Sequence, residues 1–207
     1  MKIRKYEHAC FTVEIDGKIL VVDPGAFSHD FIAPENVVAV VITHEHPDHF
    51  YPETLQAIFE KNPDSLLIGD KSITHKITDH KVQPVEEGTH LSVGPFELVF
   101  YGGHHAVIDP AYPIVPNLGV FINNRIYYPG DSFVVPSEKV EILALPVSAP
   151  WLKISEAINF LQQVNPQFAF PTHDAILSDI GKGLPDRLIP PLFKGEYRRI
   201  DNEDIEF

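Results

Sequence analysis

The run Thr43-His44-Glu45-His46-Pro47-Asp48-His49 puts three imidazoles and two carboxylates into seven residues. Neutral imidazole nitrogens and carboxylate oxygens are the donors that Zn²⁺ and related divalent ions select. In extended backbone, residues two apart face the same side, so His44 and His46 can converge on one ion. On a helix the same pair would diverge by about 200°. Pro47 disfavours helix before it and tolerates a helix start after it. Asp48 and His49 then point elsewhere, toward a second ion. The bland alternative is a set of surface histidines in a polar loop, and it leaves the spacing unexplained.

Three later segments share one layout, a short apolar strand that ends in a metal-competent residue. Phe96–Tyr101 leads into Gly102-Gly103-His104-His105, Arg125–Tyr128 into Pro129-Gly130-Asp131, and Gln167–Phe170 into Pro171-Thr172-His173. Alone, each is weak: an Asp after Pro-Gly is usually a turn residue, and a lone His is usually surface. Together they supply enough further donors for two metals. Adjacent side chains on one strand face opposite ways, so only one of His104 and His105 can turn to the ion.

The elements that position these residues are mostly strands. Residues 10–15 and 18–22 flank Asp16-Gly17, a pair favoured in two-residue type I′ hairpin turns. The β-branched run 37–42 reads as a buried strand immediately before the His-rich segment. A helix is expected at about 52–59 and a strand at 65–68, while 71–80 is ambiguous. Strands follow at 81–85, 89–93 and 96–101, with a hairpin around Asn123-Asn124 and a strand at 141–145. Residues 154–164 carry apolar positions at helical spacing, 167–170 read as a strand, and 174–180 as another helix. The irregular stretch 106–117, with three prolines, has a length that in a compact domain often serves function.

Length and composition narrow the class. The chain has 207 residues, 44% hydrophobic and 22% charged, which fits one globular domain over 1–207. A single cysteine, Cys10, excludes an internal disulfide framework and a Cys₄ zinc site. No apolar run reaches the ~18 residues of a membrane span, and no signal-like apolar segment opens the chain. A cytoplasmic protein with no membrane partner is the expectation. Net charge is −13, from 16 basic and 29 acidic residues, and such a field repels nucleic acid.

The ordered set HxHxDH, a distant His, Gly-Asp and a final His resembles the metallo-β-lactamase fold superfamily. The resemblance implies an α+β architecture, a four-layer αβ/βα sandwich with a dinuclear site at one edge. It implies that His44, His46 and the histidine at 104/105 hold a first metal, that Asp48, His49 and His173 hold a second, and that Asp131 bridges. The pattern Gly-x-x-His-Ala, matched by Gly102–Ala106, favours His105 as ligand and leaves His104 at the rim. Two divalent ions are implied, zinc by preference, with Mn or Fe suited to the same donors.

His8-Ala-Cys-Phe, Val21-Val-Asp-Pro-Gly25, Leu145-Pro-Val-Ser-Ala-Pro-Trp151 and Pro171-Thr-His-Asp174 are similar to the ascorbate-6-phosphate-lactonase-like group of small metal-dependent hydrolases. Asp131 stands where true β-lactamases usually carry another ligand, which argues against antibiotic hydrolysis. The resemblance thus implies a metal-dependent hydrolase that uses a bridging hydroxide, with Asp48 and Asp131 as catalytic carboxylates. Its substrate would be a small anionic ester, lactone or phosphodiester. The alternatives are a nuclease with the same site and a non-catalytic metal-binding regulatory module.

Other residues have two readings. Asp23 is either a turn residue or an acceptor that orients a ligand imidazole. His8 is either a structural histidine or a similar support. Asp174 is either the N-cap of the helix at 174–180 or, like His104, a leaving-group acid by position. Trp151 either packs on the sandwich edge or walls the pocket. His29, His75, His80 and His90 lack ligand spacing, and oligomeric state is not encoded in any of these features.

Overall fold

The computed structural model describes residues 1–207. The strands are β1 (Lys2–Lys5), β2 (Phe11–Ile15), β3 (Lys18–Val22), β4 (Val37–Val41), β5 (Leu66–Gly69), β6 (Val82–Pro84), β7 (His90–Val93) and β8 (Phe96–Gly102). They continue with β9 (Leu118–Ile122), β10 (Ile126–Tyr128), β11 (Ile142–Pro146), β12 (Phe168–Thr172), β13 (Glu196–Tyr197) and β14 (Asp204–Glu206). The helices are α1 (Pro52–Lys61), the short α2 (Lys71–Thr74), α3 (Ile154–Val164) and α4 (Asp179–Leu188), with a 3₁₀ turn at Pro190–Leu192.

Two seven-stranded sheets form, in the orders β14-β1-β2-β3-β4-β5-β6 and β13-β12-β11-β10-β9-β8-β7. Both sheets are built alike. In the first, the pairs from β14 to β3 are antiparallel and those from β3 to β6 parallel. In the second, the pairs from β7 to β10 are antiparallel and those from β10 to β13 parallel. The tight hairpins lie on the antiparallel side. Asp16 and Gly17 have φ of 50° and 72°, and Asn123 and Asn124 have 50° and 52°, so both turns use the left-handed pair that a type I′ turn requires.

Burial is layered. A central cluster that includes Phe11, Leu20, Val41, Phe100, Val120, Tyr128 and Phe170 joins the facing sides of the two sheets. On the outer side of the first sheet, Leu55 and Ile58 of α1 meet Val21, Val40 and Leu67. On the outer side of the second, Ala157, Phe160 and Leu161 of α3 meet Phe121, Leu143 and Leu145. Helix, sheet, sheet and helix make the four-layer α+β sandwich. Because β4 is covered on both faces, it reads as an unbroken Val/Ala run rather than an alternating one.

The helix expected at 174–180 is not formed there. Residues 175–177 make a turn, and α4 starts at Asp179, capped by the Ser178 hydroxyl, which accepts from the Gly181 N–H. Gly181, Gly183 and Pro185 lie inside α4 and mask its helical signal. The chain ends close on the beginning: β14 pairs with β1, and the Met1 and Phe207 backbones exchange hydrogen bonds of 3.0 and 2.9 Å.

Candidate metal centre

The His-rich segment leaves β4 directly. His44 makes an isolated bridge to Asn117, and the chain then turns, with the His49 and Phe50 N–H groups both donating to the His46 carbonyl. The segment is therefore extended only as far as His44 and tightly turned from Pro47 on. Gly25 makes this turn possible, since a Cβ there would lie 1.8 Å from the Asp48 carbonyl oxygen. His105, Asp131 and His173 follow the ends of β8, β10 and β12 and come to the same edge.

Two groups of donors result. The rings of His44, His46 and His105 lie 4.7–5.0 Å apart, and their nitrogens are close enough to share one ion. Asp48, His49 and His173 form a second such group, together with His8. Asp131 stands between them. Its Oδ2 is 3.3 Å from His105 Nε2 and 3.0 Å from His173 Nε2, and its Oδ1 is 3.3 Å from His49 Nε2. His105 is buried, whereas His104 is exposed.

The second nitrogen of each buried imidazole is engaged elsewhere, which fixes the tautomer. His105 Nδ1–H donates to the Ala106 carbonyl and His173 Nδ1–H to the Ser148 carbonyl. His49 Nδ1–H donates to Asp23 Oδ2 at 2.7 Å. The Thr43 hydroxyl donates to the same Asp23 oxygen at 2.6 Å, so its own oxygen accepts from His44 Nδ1–H. In the neutral rings all four Nε2 atoms thereby turn a lone pair to the cluster. These four nitrogens and Asp131 Oδ1 are buried without any hydrogen-bond partner. Buried polar atoms are nearly always partnered, so five orphans converging on one spot fit a cation.

Electrostatics agrees with this fit. No Lys or Arg contacts Asp48 or Asp131, so histidine protons alone balance them. Burial works to lower His173, yet Asp131 and Asp48 pull it up to about 9. His49 is likewise depressed by burial and raised well above the ordinary range by Asp131 and Asp23. Burial opposes the ionised form of Asp131, but His49 and His173 hold its carboxyl well below the usual carboxylate range. Bound cations would take over the role of these protons.

His8 has the reverse polarity. The Ala175 N–H donates to His8 Nδ1, so Nε2 carries the proton and donates to Asp48 Oδ2 at 3.0 Å. Burial lowers its pKa to about 4, consistent with a neutral ring. His8 therefore holds Asp48 rather than offering a lone pair. Asp23 is also more than a turn residue, because one oxygen takes both His49 and Thr43 while the other accepts the Thr43 N–H. Trp151 does not simply pack on the edge: its indole N–H donates to Asp131 Oδ2 at 2.8 Å.

Asp174 differs from both roles given it by the sequence. It caps no helix and lies buried between Lys5 and Arg199, bonded to both. Burial alone would raise its pKa, but the two cations hold it below the carboxylate range. It carries no proton to give at neutral pH, which removes it as a leaving-group acid. Its neighbour His173 adopts φ 59°, and His8 and Asp23 adopt 60° and 44°. Left-handed backbone costs a non-glycine residue about 1–3 kcal/mol and persists only where its surroundings enforce it. Here the His173 N–H donates to the His8 carbonyl at 3.0 Å, linking two of the strained residues across the sheets.

Asn117 is a site residue that sequence reasoning missed. Fully buried, it accepts from the Asp131 N–H and donates to the Pro129 carbonyl, so it clamps the Pro129-Gly130-Asp131 turn. Gly130 has φ 63°, and a Cβ there would meet Asn117 Oδ1 at 2.4 Å. The only trace in the sequence is a polar residue at the junction between a proline-rich loop and an apolar strand.

Comparison with known proteins agrees with this geometry. A family model described as a β-lactamase superfamily domain matches residues 2–173. The chain belongs to the metallo-β-lactamase superfamily. Protein Rv0786c of Mycobacterium tuberculosis is 35% identical over 189 residues, covering 89% of each chain. A UPF0173 protein of Pyrococcus abyssi is 32% identical over 184 residues, covering 84% of this chain and 83% of its own. Among solved structures, Igni18, a metallo hydrolase of Ignicoccus hospitalis, superposes with a TM-score of 0.75 at 19% identity over 100% of this chain and 98% of its own. The metallo-β-lactamase fold protein YhfI of Bacillus subtilis gives 0.76 at 17% identity over 100% and 99%. No helix in the chain is long and apolar enough to cross a membrane.

Proposed function

We propose that residues 1–207 form one hydrolase domain with a dinuclear centre that cleaves a small ester, lactone or phosphodiester. The observation that carries this reading is the convergence of four buried, unpartnered imidazole nitrogens on Asp131, whose Oδ1 is also unpartnered. His44, His46 and His105 would hold one ion, Asp48, His49 and His173 the other, and Asp131 would bridge them. Zinc suits these nitrogen and oxygen donors, as do Mn²⁺ and Fe²⁺. Bound there, two divalent ions polarise the scissile bond and lower the pKa of water toward ~7.

The chain's own residues prepare that chemistry. Asp23, Thr43 and the carbonyls of Ala106 and Ser148 orient the four imidazoles. Trp151 fixes Asp131 Oδ2 and leaves Oδ1 unpartnered, while His8 fixes Asp48 Oδ2, the oxygen 3.3 Å from His173 Nε2. His104 stands at the rim, free to meet substrate. A net charge of −13 supports a small molecule rather than nucleic acid as partner. The lone, buried Cys10 suits a reducing cytoplasm.

Elemental analysis of protein purified without chelator should approach two equivalents of metal, with hydrolysis of model esters or phosphodiesters lost on chelation. A reproducible single equivalent in excess metal would overturn the dinuclear reading.

A further inference from the structure

The loops around the centre have an unusual composition. Segments 24–36, 42–51, 102–117, 129–140, 147–153 and 173–178 frame the cluster, and together they contain no Arg and only two Lys, Lys139 and Lys153. Lys76 follows α2, and its ammonium is paired with Glu45 at 2.5 Å. A site built to grip a phosphate or carboxylate ordinarily offers an Arg fork or a Lys. Here the frame holds no Arg, and its two lysines, Lys139 and Lys153, are exposed and contact neither Asp48 nor Asp131.

The same loops expose apolar surface instead. Eight of the twelve exposed large hydrophobic residues lie in them, among them Phe27, Val107, Ile108, Tyr112, Ile114 and Ile176. Their placement follows the site. Phe27 meets the His8 ring edge-on at 5.2 Å. Val107 to Ile114 form a loop whose base is pinched at the cluster, where the His105 N–H donates to the Val115 carbonyl at 3.0 Å. The Ala106 N–H beside it donates to the Asp131 carbonyl at 2.8 Å. Ile176 lies three residues beyond His173 and is half exposed. Apolar patches of this kind on a soluble chain mark a place where something apolar binds.

We propose that the rim selects an uncharged substrate with an apolar acyl or aryl group, a neutral carboxylic ester or lactone. This inference rests on the hydrolase reading above and sets aside its anionic members, for which the rim supplies no Arg fork beyond the metal centre. In the reaction, the oxygen of water bonds to the acyl carbon and the acyl C–O bond breaks. One proton of water goes to the departing alkoxide, and the products are an acid and an alcohol. The rim contributes by holding the chain of the acyl group, so its effect belongs in KM.

The test compares 4-nitrophenyl acetate, butyrate and octanoate with 4-nitrophenyl phosphate and bis(4-nitrophenyl) phosphate on metal-replete protein. The expected result is a rise in kcat/KM of about fourfold per methylene, carried by KM, with both phosphates far behind. Ile108→Ser combined with Tyr112→Ser should flatten that dependence without loss of metal, while Leu192→Ser, on the distant 3₁₀ turn, should leave it unchanged. A readout independent of turnover is titration with 2-octanone, followed by emission of Trp151, with binding weakened in the double variant.

Preference for either phosphate would overturn the substrate class and leave hydrolysis standing. Ketone binding that depends on the rim, without hydrolysis of any ester, would support the apolar rim and sink the hydrolase reading. Neither ketone binding nor a chain-length effect would overturn the inference. So would a stable dimer in which the 106–114 loop is protected from exchange.

Discussion

The two sheets share one plan but load the centre differently. The first sheet delivers His44, His46, Asp48 and His49 from a single turn after β4. The second delivers His105, Asp131 and His173 one at a time, from three strand ends spread over about a third of the chain. That single turn rests on one neighbouring segment, with Gly25 beneath the Asp48–His49 peptide and Asp23 beside it. Distributed residues need cross-links between elements, here Asn117 on the Asp131 turn and Trp151 on its carboxylate. The first half is held by the Gly25 packing and by hydrogen bonds from His8 and Asp23, the second by hydrogen bonds from Asn117 and Trp151.

Four perturbations would break or sharpen this contrast. The largest effect is expected at Asp131, the contact between both halves. Asp131→Ala should lower metal content at one position or both, and hydrolysis should fall by orders of magnitude, measured as turnover per bound ion. Near wild-type turnover with full metal would reduce Asp131 to a turn residue.

Next come the neighbouring histidines after β8. His105→Ala should strip metal and abolish activity, whereas His104→Ala should keep the metal and change rate or substrate preference only. Metal lost only from His104→Ala would falsify the assignment.

A smaller effect is expected where a ligand is merely oriented. Asp23→Asn keeps the shape but weakens the acceptor for His49 Nδ1–H, and metal affinity should drop about 10–100-fold in competition with a chelator. An unchanged affinity would mean that the Gly25 turn alone positions His49.

The smallest effect belongs to Trp151→Phe, which removes one N–H donor and keeps the aromatic bulk. Asp131 should retain its place through Asn117, so a few-fold loss of metal affinity is expected, about 1 kcal/mol. A loss as large as that of Asp131→Ala would make the indole the main anchor of the carboxylate.

The same contrast explains what the sequence could reveal. HxHxDH is legible because its donors are contiguous and follow a strand whose apolar run is itself legible. His105, Asp131 and His173 became visible only as a repeated layout. Their clamps, Asn117, Ser148 and the Lys5–Asp174–Arg199 group, depend on approaches between distant elements that no spacing encodes. The helices show the same division. Apolar periodicity located α3, whereas α4, with two glycines and a proline, forms against tertiary partners and lies five residues past its expected start. The edge strands β13 and β14 hold only two or three residues each. Too few residues lie there for alternation to register.

The exchange of hydrogen bonds between Met1 and Phe207 makes the two ends of the chain neighbours on one sheet edge. A short linker joining them would close the polypeptide into a ring without crossing the centre. New ends cut in the exposed Glu86-Glu87-Gly88 turn, where the chain passes from one sheet to the other, would then give a circular permutant. In it the distributed half would be synthesised before the contiguous one. The metal centre would be assembled from the same side chains in the opposite order, leaving strand order as the sole variable in how the site forms.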